Sequence, residues 1–302
     1  MVYKKSIKNM RKKISGINRI LVGSVKEVRY SLTSHLSPLT SILLSLSALF
    51  LSGCEKTIDI DYHTAETQYV AEASVTATGM TVRLSTTNAM DDNSGSSDIS
   101  DADITVSGSD GSSSRLSYTR NGFYRSTAYG VPGVTYTVDI NLDGRHFSST
   151  STMQQAPEVN SFKVIRKKIT TEWFQMGDLR IQDQPNEDNW YFMHIYRNGV
   201  GYRWAVMSDR NDPNKELQQL FSFFREGSSD SDVLRDGDRL RIEVRAIDQR
   251  AYDYLYSMQV MDATGTNPIQ NFMGGCLGYF SAYGERTTDF VYYSSEVTDD
   301  EG

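Results

Sequence analysis

The chain has 302 residues, with 31 basic and 38 acidic side chains, a net charge of −7 and two cysteines. The first 53 residues hold nine of the basic side chains and one acid, so the remainder carries 22 basic and 37 acidic residues, a net charge of −15. That balance argues against nucleic acid and anionic lipid as partners, and so few cysteines rule out a disulfide-stapled framework.

Lys4, Lys5, Lys8, Arg11, Lys12 and Lys13 make a basic amino-terminal segment, and Ile42 to Leu51 is an almost wholly apolar run ending in Leu51-Ser52-Gly53-Cys54. This is the order of a secretory signal that closes in a lipobox. The run is shorter than the roughly 20 residues a spanning helix needs. Residues 1–53 are therefore expected to be a signal peptide, with lipobox Leu51, Ser52 and Gly53 and lipidation at Cys54. Several acyl chains, palmitate among them, on one cysteine hold a protein stably at a bilayer. No cofactor is expected beyond this covalent lipid. Residues 54–67 read as a polar tether.

From Gln68 the pattern is period-two. Tyr69–Val75, Met80–Leu84, Ile104–Val106, Phe123–Arg125, Tyr136–Ile140 and His146–Ser148 are short, β-branched and aromatic, and turn chemistry at Asp110-Gly111 and Asp143-Gly144 separates them. The spacing predicts a β-sandwich over 68–153. Asp91, Asp92, Asp98, Asp101 and Asp103 lie in or beside an acidic loop that lacks the spacing and closing glutamate of an EF-hand, so it reads as solvated. Pro157 then interrupts the strands.

A second β-rich domain is expected over 158–297. Its clearest hairpin runs Trp190–Tyr196, Arg197-Asn198-Gly199-Val200, Gly201–Val206. Leu217, Leu220, Phe221 and Phe224 fit a helix, while Phe221-Ser222-Phe223 alternates like a strand, and the pattern does not choose. Arg239–Ile247 alternates as a strand. One helix is predicted near 249–263, capped by Asp248, with Ala251, Leu255 and Met258 on one stripe and Gly265 at its end. The fold class is therefore all-β: two β-sandwich-like domains, with one short helix in the second, after a lipoprotein signal peptide.

Catalytic motifs are absent from the sequence: no nucleophile elbow, no HExxH, no P-loop and no dinucleotide fingerprint. His63, His146 and His194 are scattered and make no metal-ligand spacing, so neither catalytic nor metal residues are assigned. Cys276 lies in an apolar, glycine-rich stretch without a nearby base and is expected to be buried and unpaired. Trp173, Trp190 and Trp204 are the candidates for stacking against a glycan or peptide, although Trp190 and Trp204 also suit cross-strand packing in one hairpin.

The lipobox, Glu55-Lys56-Thr57-Ile58-Asp59-Ile60, Tyr69-Val70-Ala71-Glu72-Ala73, the run from Gly122-Phe123-Tyr124 to Gly133-Val134-Thr135-Tyr136, and Asn267-Pro268 through Gly278-Tyr279-Phe280-Ser281-Ala282-Tyr283 occur here in a characteristic order. Together they resemble the Bacteroidota lipoprotein family catalogued as domain of unknown function 4249. The resemblance implies an outer-membrane lipoprotein, often encoded beside a TonB-dependent transporter and its capture lipoprotein. The first half also resembles the carboxypeptidase regulatory-like, transthyretin or Ig-like sandwich, a non-catalytic module. The expected role is thus a non-catalytic binding or accessory component of a TonB-dependent nutrient-uptake or cell-surface complex. A structural adhesin or fimbria-like subunit and, further off, a hydrolase are the alternatives.

Overall fold

In the computed structural model the described residues are 67–88, 97–185, 187–210, 215–228, 231–264 and 266–300, with the side chains of 262–264 left aside. The signal peptide, the lipobox with Cys54, nearly all of the tether, Asp91, Asp92 and Gly265 lie outside them.

The first half supplies eight strands: β1 (Tyr69–Thr76), β2 (Gly79–Thr86), β3 (Asp103–Gly108), β4 (Ser113–Arg115), β5 (Ser117–Arg120), β6 (Phe123–Ser126), β7 (Thr135–Leu142) and β8 (Arg145–Thr152). Alternation decides which side chains turn inward. Ala71, Ala73 and Val75 of β1 and Met80, Val82 and Leu84 of β2 share a core with Ile104, Val106, Val138 and Ile140 of β3 and β7. Each such aliphatic side chain of Val, Leu or Ile size contributes roughly 1.5–3 kcal/mol when fully buried. Tight turns follow the residue chemistry. Asp143 and Gly144, at φ 51° and 71°, join β7 to β8 as a two-residue hairpin, and Asn121-Gly122 does the same between β5 and β6.

The second half adds β9 (Glu158–Ile169), β10 (Glu172–Gln182), β11 (Trp190–Arg197), β12 (Val200–Ser208), β13 (Glu216–Arg225), β14 (Arg239–Ile247), helix α1 (Gln249–Thr264), β15 (Leu277–Ala282), β16 (Gly284–Val291) and β17 (Thr298–Asp299). Two four-stranded sheets, β13-β10-β9-β17 and β12-β11-β14-β16, enclose a second core that includes Leu179, Ile181, Tyr191, Met193, Ile195, Ile242 and Val244. The all-β, sandwich-like architecture with one short helix matches the expectation. The ambiguous segment at Leu217 is a strand. It pairs antiparallel with β10 and buries Leu217, Phe221 and Phe223, so the alternating reading prevails over the helical one.

The Asp248 carboxylate caps α1, accepting from Ala251 N at 2.9 Å with one oxygen and from Thr152 N at 2.9 Å with the other. One carboxylate thus starts the helix and ties it to the end of β8.

β15 departs from the expected partition of the chain. It lies within 158–297, yet it pairs parallel with β1 at the edge of the first-half sheet β15-β1-β2-β6-β5. Its two faces serve two cores. Phe280 and Ala282 enter the first-half core, whereas Tyr279 packs with α1 and stacks on Tyr254 at 5.1 Å. Gly278 permits this pairing. At φ 99° its backbone passes so close to β1 that a Cβ would sit 2.0 Å from the Ala71 carbonyl oxygen. Buried Asn271 fixes the approach to β15, accepting on Oδ1 from Ser149 Oγ at 2.7 Å and from Phe280 N at 2.9 Å.

A candidate binding face on the second sheet

The outward face of β12-β11-β14-β16 follows from register. On β11, Trp190, Phe192, His194 and Tyr196 alternate with the core residues Tyr191, Met193 and Ile195. On β14, Arg241, Glu243 and Arg245 alternate with the buried Leu240, Ile242 and Val244. Register sets Phe192 opposite Arg245, His194 opposite Glu243 and Tyr196 opposite Arg241, and on the other flank His194 opposite Trp204.

One end of this face is covered. Ala251 and Leu255 of α1 share a cluster with Phe192, Val206, Ile247 and Tyr283. Arg245 closes the boundary, with its guanidinium 5.1 Å from the Phe192 ring centroid and 4.6 Å from that of Tyr283, bonded to Glu243. The Arg245 and Glu243 side chains are only 18% and 13% exposed. Burial works against the Arg245 charge, but Tyr283, Glu243 and Tyr279 outweigh it and hold its pKa above the ordinary arginine range. Beside it, the Glu285 carboxyl is pushed up by partial burial and then by the charge of Glu243, which it also meets in a hydrogen bond.

The other end is open. A groove of about 930 Å³ is lined there by Tyr196, Asn198, Arg239, Arg241, Glu243 and Asp289, among others. Arg241 and Asp289 pair at 3.0 Å while their side chains stay 61% and 72% exposed. Such an exposed, solvent-screened pair contributes little to stability. The rings form a row: His194 lies 4.0 Å from Tyr196 and 6.0 Å from Phe192, and Phe192 lies 6.0 Å from Trp204, which is 40% exposed. Half-burial lowers the His194 pKa, with Glu243 acting against and Arg245 with that shift. His194 is therefore neutral at pH 7 and adds no cation to the face. A flat group can lie against Trp204 while the guanidinium and carboxylate groups bond to hydroxyl, amide or carboxylate groups of a ligand.

The three tryptophans of the sequence reading do not form one platform. Trp204 is at the open end, and Trp190 is packed at the covered end with Arg210 stacked over it at 5.5 Å. Trp173 belongs to the other sheet, pairs with Lys168 and lies under the Arg166 guanidinium at 4.7 Å. Trp190 stands opposite Ser208 and Trp204 opposite His194, so the two are not a cross-strand pair. Tyr196, Arg241 and Asp289, which line the open groove, are not singled out by the sequence, and His194 stands out there only as a histidine without metal-ligand spacing. Their signal was the alternating charge of β14 opposite an aromatic strand, a pattern that becomes spatial only once register is known.

Cys276 is 1% exposed and its thiol is pushed up to about 12 by burial. No group of three or more His, Cys, Asp and Glu side chains among the described residues is placed to hold a metal.

The profile of the family described as a domain of unknown function, DUF4249, matches residues 55–289. The chain belongs to the DUF4249 family. The match spans both halves and ends within β16, so the crossing of β15 into the first sheet lies inside the DUF4249 unit. No curated protein matches the chain. No helix among the described residues is long and apolar enough to cross a membrane.

Proposed function

We propose that this DUF4249 protein is a lipid-anchored outer-membrane lipoprotein of Bacteroidota type. It acts as a non-catalytic binding or accessory component of a TonB-dependent nutrient-uptake or cell-surface complex. Its first-half sandwich serves as an Ig-like or regulatory-like spacer, and the open end of the second sheet contacts the ligand or partner. The observation that carries the binding role is the half-covered outer face of β12-β11-β14-β16. There Tyr196 and the exposed Arg241–Asp289 pair line one groove, and beside it the Tyr196 ring meets His194, which stands opposite the exposed Trp204. Rings flanked by charged pairs are what a glycan or a peptide segment of a transporter or its capture lipoprotein would use. Anchoring rests on Leu51-Ser52-Gly53-Cys54.

The test is recovery of the tagged full-length protein from native membranes in mild detergent, with mass spectrometry of its companions. A TonB-dependent barrel among them, lost on Trp204→Ala together with Arg241→Ala, is the expected result. Recovery of the lipoprotein alone, with no glycan or peptide bound in a screen, would refute the accessory role. Cys54→Ala should move the protein from the membrane to the soluble fraction, and a variant that stays in the membrane pellet would refute the lipid anchor.

A further inference from the structure

After Cys54 the sequence holds three consecutive basic residues at one place, Arg166-Lys167-Lys168, and three consecutive acids at one place, Asp299-Asp300-Glu301. The fold sets the first two acids against the first two cations. β17 pairs parallel with β9, Thr298 beside Ile165 and Asp299 beside Arg166, and Asp300 N donates to the Arg166 carbonyl at 2.8 Å. The Arg166 guanidinium donates to both Asp299 carboxylate oxygens, at 2.6 and 2.8 Å, and Lys167 Nζ bonds to Asp300. The Trp173 ring lies under Arg166, with Lys168 Nζ 5.9 Å from its centroid.

Little else holds this tail. β17 pairs with two of the twelve residues of β9. Val297 is the last apolar residue packed against the second core, and Thr298 and Asp299 are exposed. The Arg166 and Asp299 side chains are 37% and 47% exposed, so water and salt screen their attraction. The tail can therefore leave β9 without opening the core. What it uncovers is cationic: three basic residues against Glu226, which meets Arg166 at 3.7 Å, leave a surplus of two, while Arg225 and Glu172 pair at 3.6 Å. A strand edge bonds to any extended backbone, and the side chains beside it choose the sequence. Here the cations choose acids.

We propose that the β9 edge is a docking site for an extended acidic segment of a partner protein, which replaces the chain's own tail and adds a strand to this sheet. The tail shows the chemistry that the edge takes: backbone pairing beside Ile165 and Arg166, one carboxylate on the Arg166 fork and a second on Lys167. A longer acidic strand pairs with more of β9 than β17 does and so displaces it. The open groove belongs to the other sheet, β12-β11-β14-β16, and this docking edge does not depend on it.

The probe is a fluorescein-labelled peptide of five Val-Glu repeats, with five Val-Lys repeats as the control, added to the purified full-length chain and read by fluorescence anisotropy. Asp299→Asn combined with Asp300→Asn loosens the tail without shortening the chain, and a chain ending at Val297 removes it. Both should bind the acidic peptide about tenfold more tightly than wild type, because the tethered competitor is weakened or gone. Adding Arg166→Gln to either should lower that affinity about tenfold, and the basic peptide should not bind. Equal affinity of wild type and the tail variants, no binding to any of them, or binding that Arg166→Gln leaves unchanged would overturn the proposal. So would a wild-type dimer, seen by sedimentation and lost with the tail, which would give the edge to the tail of a second copy. Trp204→Ala with Arg241→Ala should leave peptide binding in place, which separates this edge from the groove. If the shortened chain does not fold, the full-length double variant decides alone.

Discussion

At the residue scale, two side chains carry tests that do not depend on function. Cys276 is enclosed by the first core and its thiol is pushed up to about 12, so little thiolate exists at neutral pH. Native protein should resist iodoacetamide for hours and react only once unfolded, as mass spectrometry of quenched samples would report. His194 carries a pH signature. Its folded pKa is depressed below the ordinary 6.5 by half-burial, so the unfolded chain takes up the proton more readily than the folded one. The stability this residue contributes is present above pH 6.5 and is lost as pH falls through that window. His194→Gln should therefore flatten the decline of the wild-type melting temperature between pH 7 and pH 5. An equally steep decline in the variant would show that other groups cause it. The buried state of Cys276 was legible because its neighbours are apolar in sequence. The meeting of Asn189 and Asp209 was not, since only the pairing of β11 with β12 brings Asp209 N to the Asn189 carbonyl.

At the scale of elements, most strands were legible from alternation, and three of the tight turns carry their own chemistry in Asn-Gly or Asp-Gly. The hairpin between β9 and β10 had no such mark. Its turn places Thr170 at φ 58°, a conformation that a β-branched residue adopts only under tertiary pressure. β13 was undecidable because Leu217 and Phe221 satisfy helical spacing while Phe223 satisfies alternation, and only pairing with β10 selects between them. β15 holds the sharpest prediction. Gly278→Ala adds a Cβ against the Ala71 carbonyl oxygen at a left-handed backbone position, and no rotamer change relieves that contact. A loss of about 2–4 kcal/mol is expected in urea unfolding. Gly199→Ala, whose Cβ would meet open space, should cost only the strain of its turn. Equal losses in the two variants would mean that β15 shifts freely against β1.

At the scale of the whole molecule, the sequence suggested two successive sandwiches, whereas the core of the first-half sheets also takes in Phe280 and Ala282 of β15. What composition and periodicity cannot report is that a late strand completes an early sheet, because parallel pairing across some 200 residues leaves no local trace. A chain ending at residue 276 retains every residue of β1 to β14 and α1, but it exposes the β1 edge and removes Phe280 and Ala282 from the first core. Such a truncation should abolish cooperative unfolding of the first half and yield aggregates by light scattering. A monomeric, two-state product would refute the view that β15 is integral to that sheet. The same crossing has a consequence for how the chain is made. During synthesis the first sheet stays unfinished until residue 282 has emerged, long after its other strands are available. Until then the β1 edge lacks its native partner and is open to pairing with a neighbouring chain.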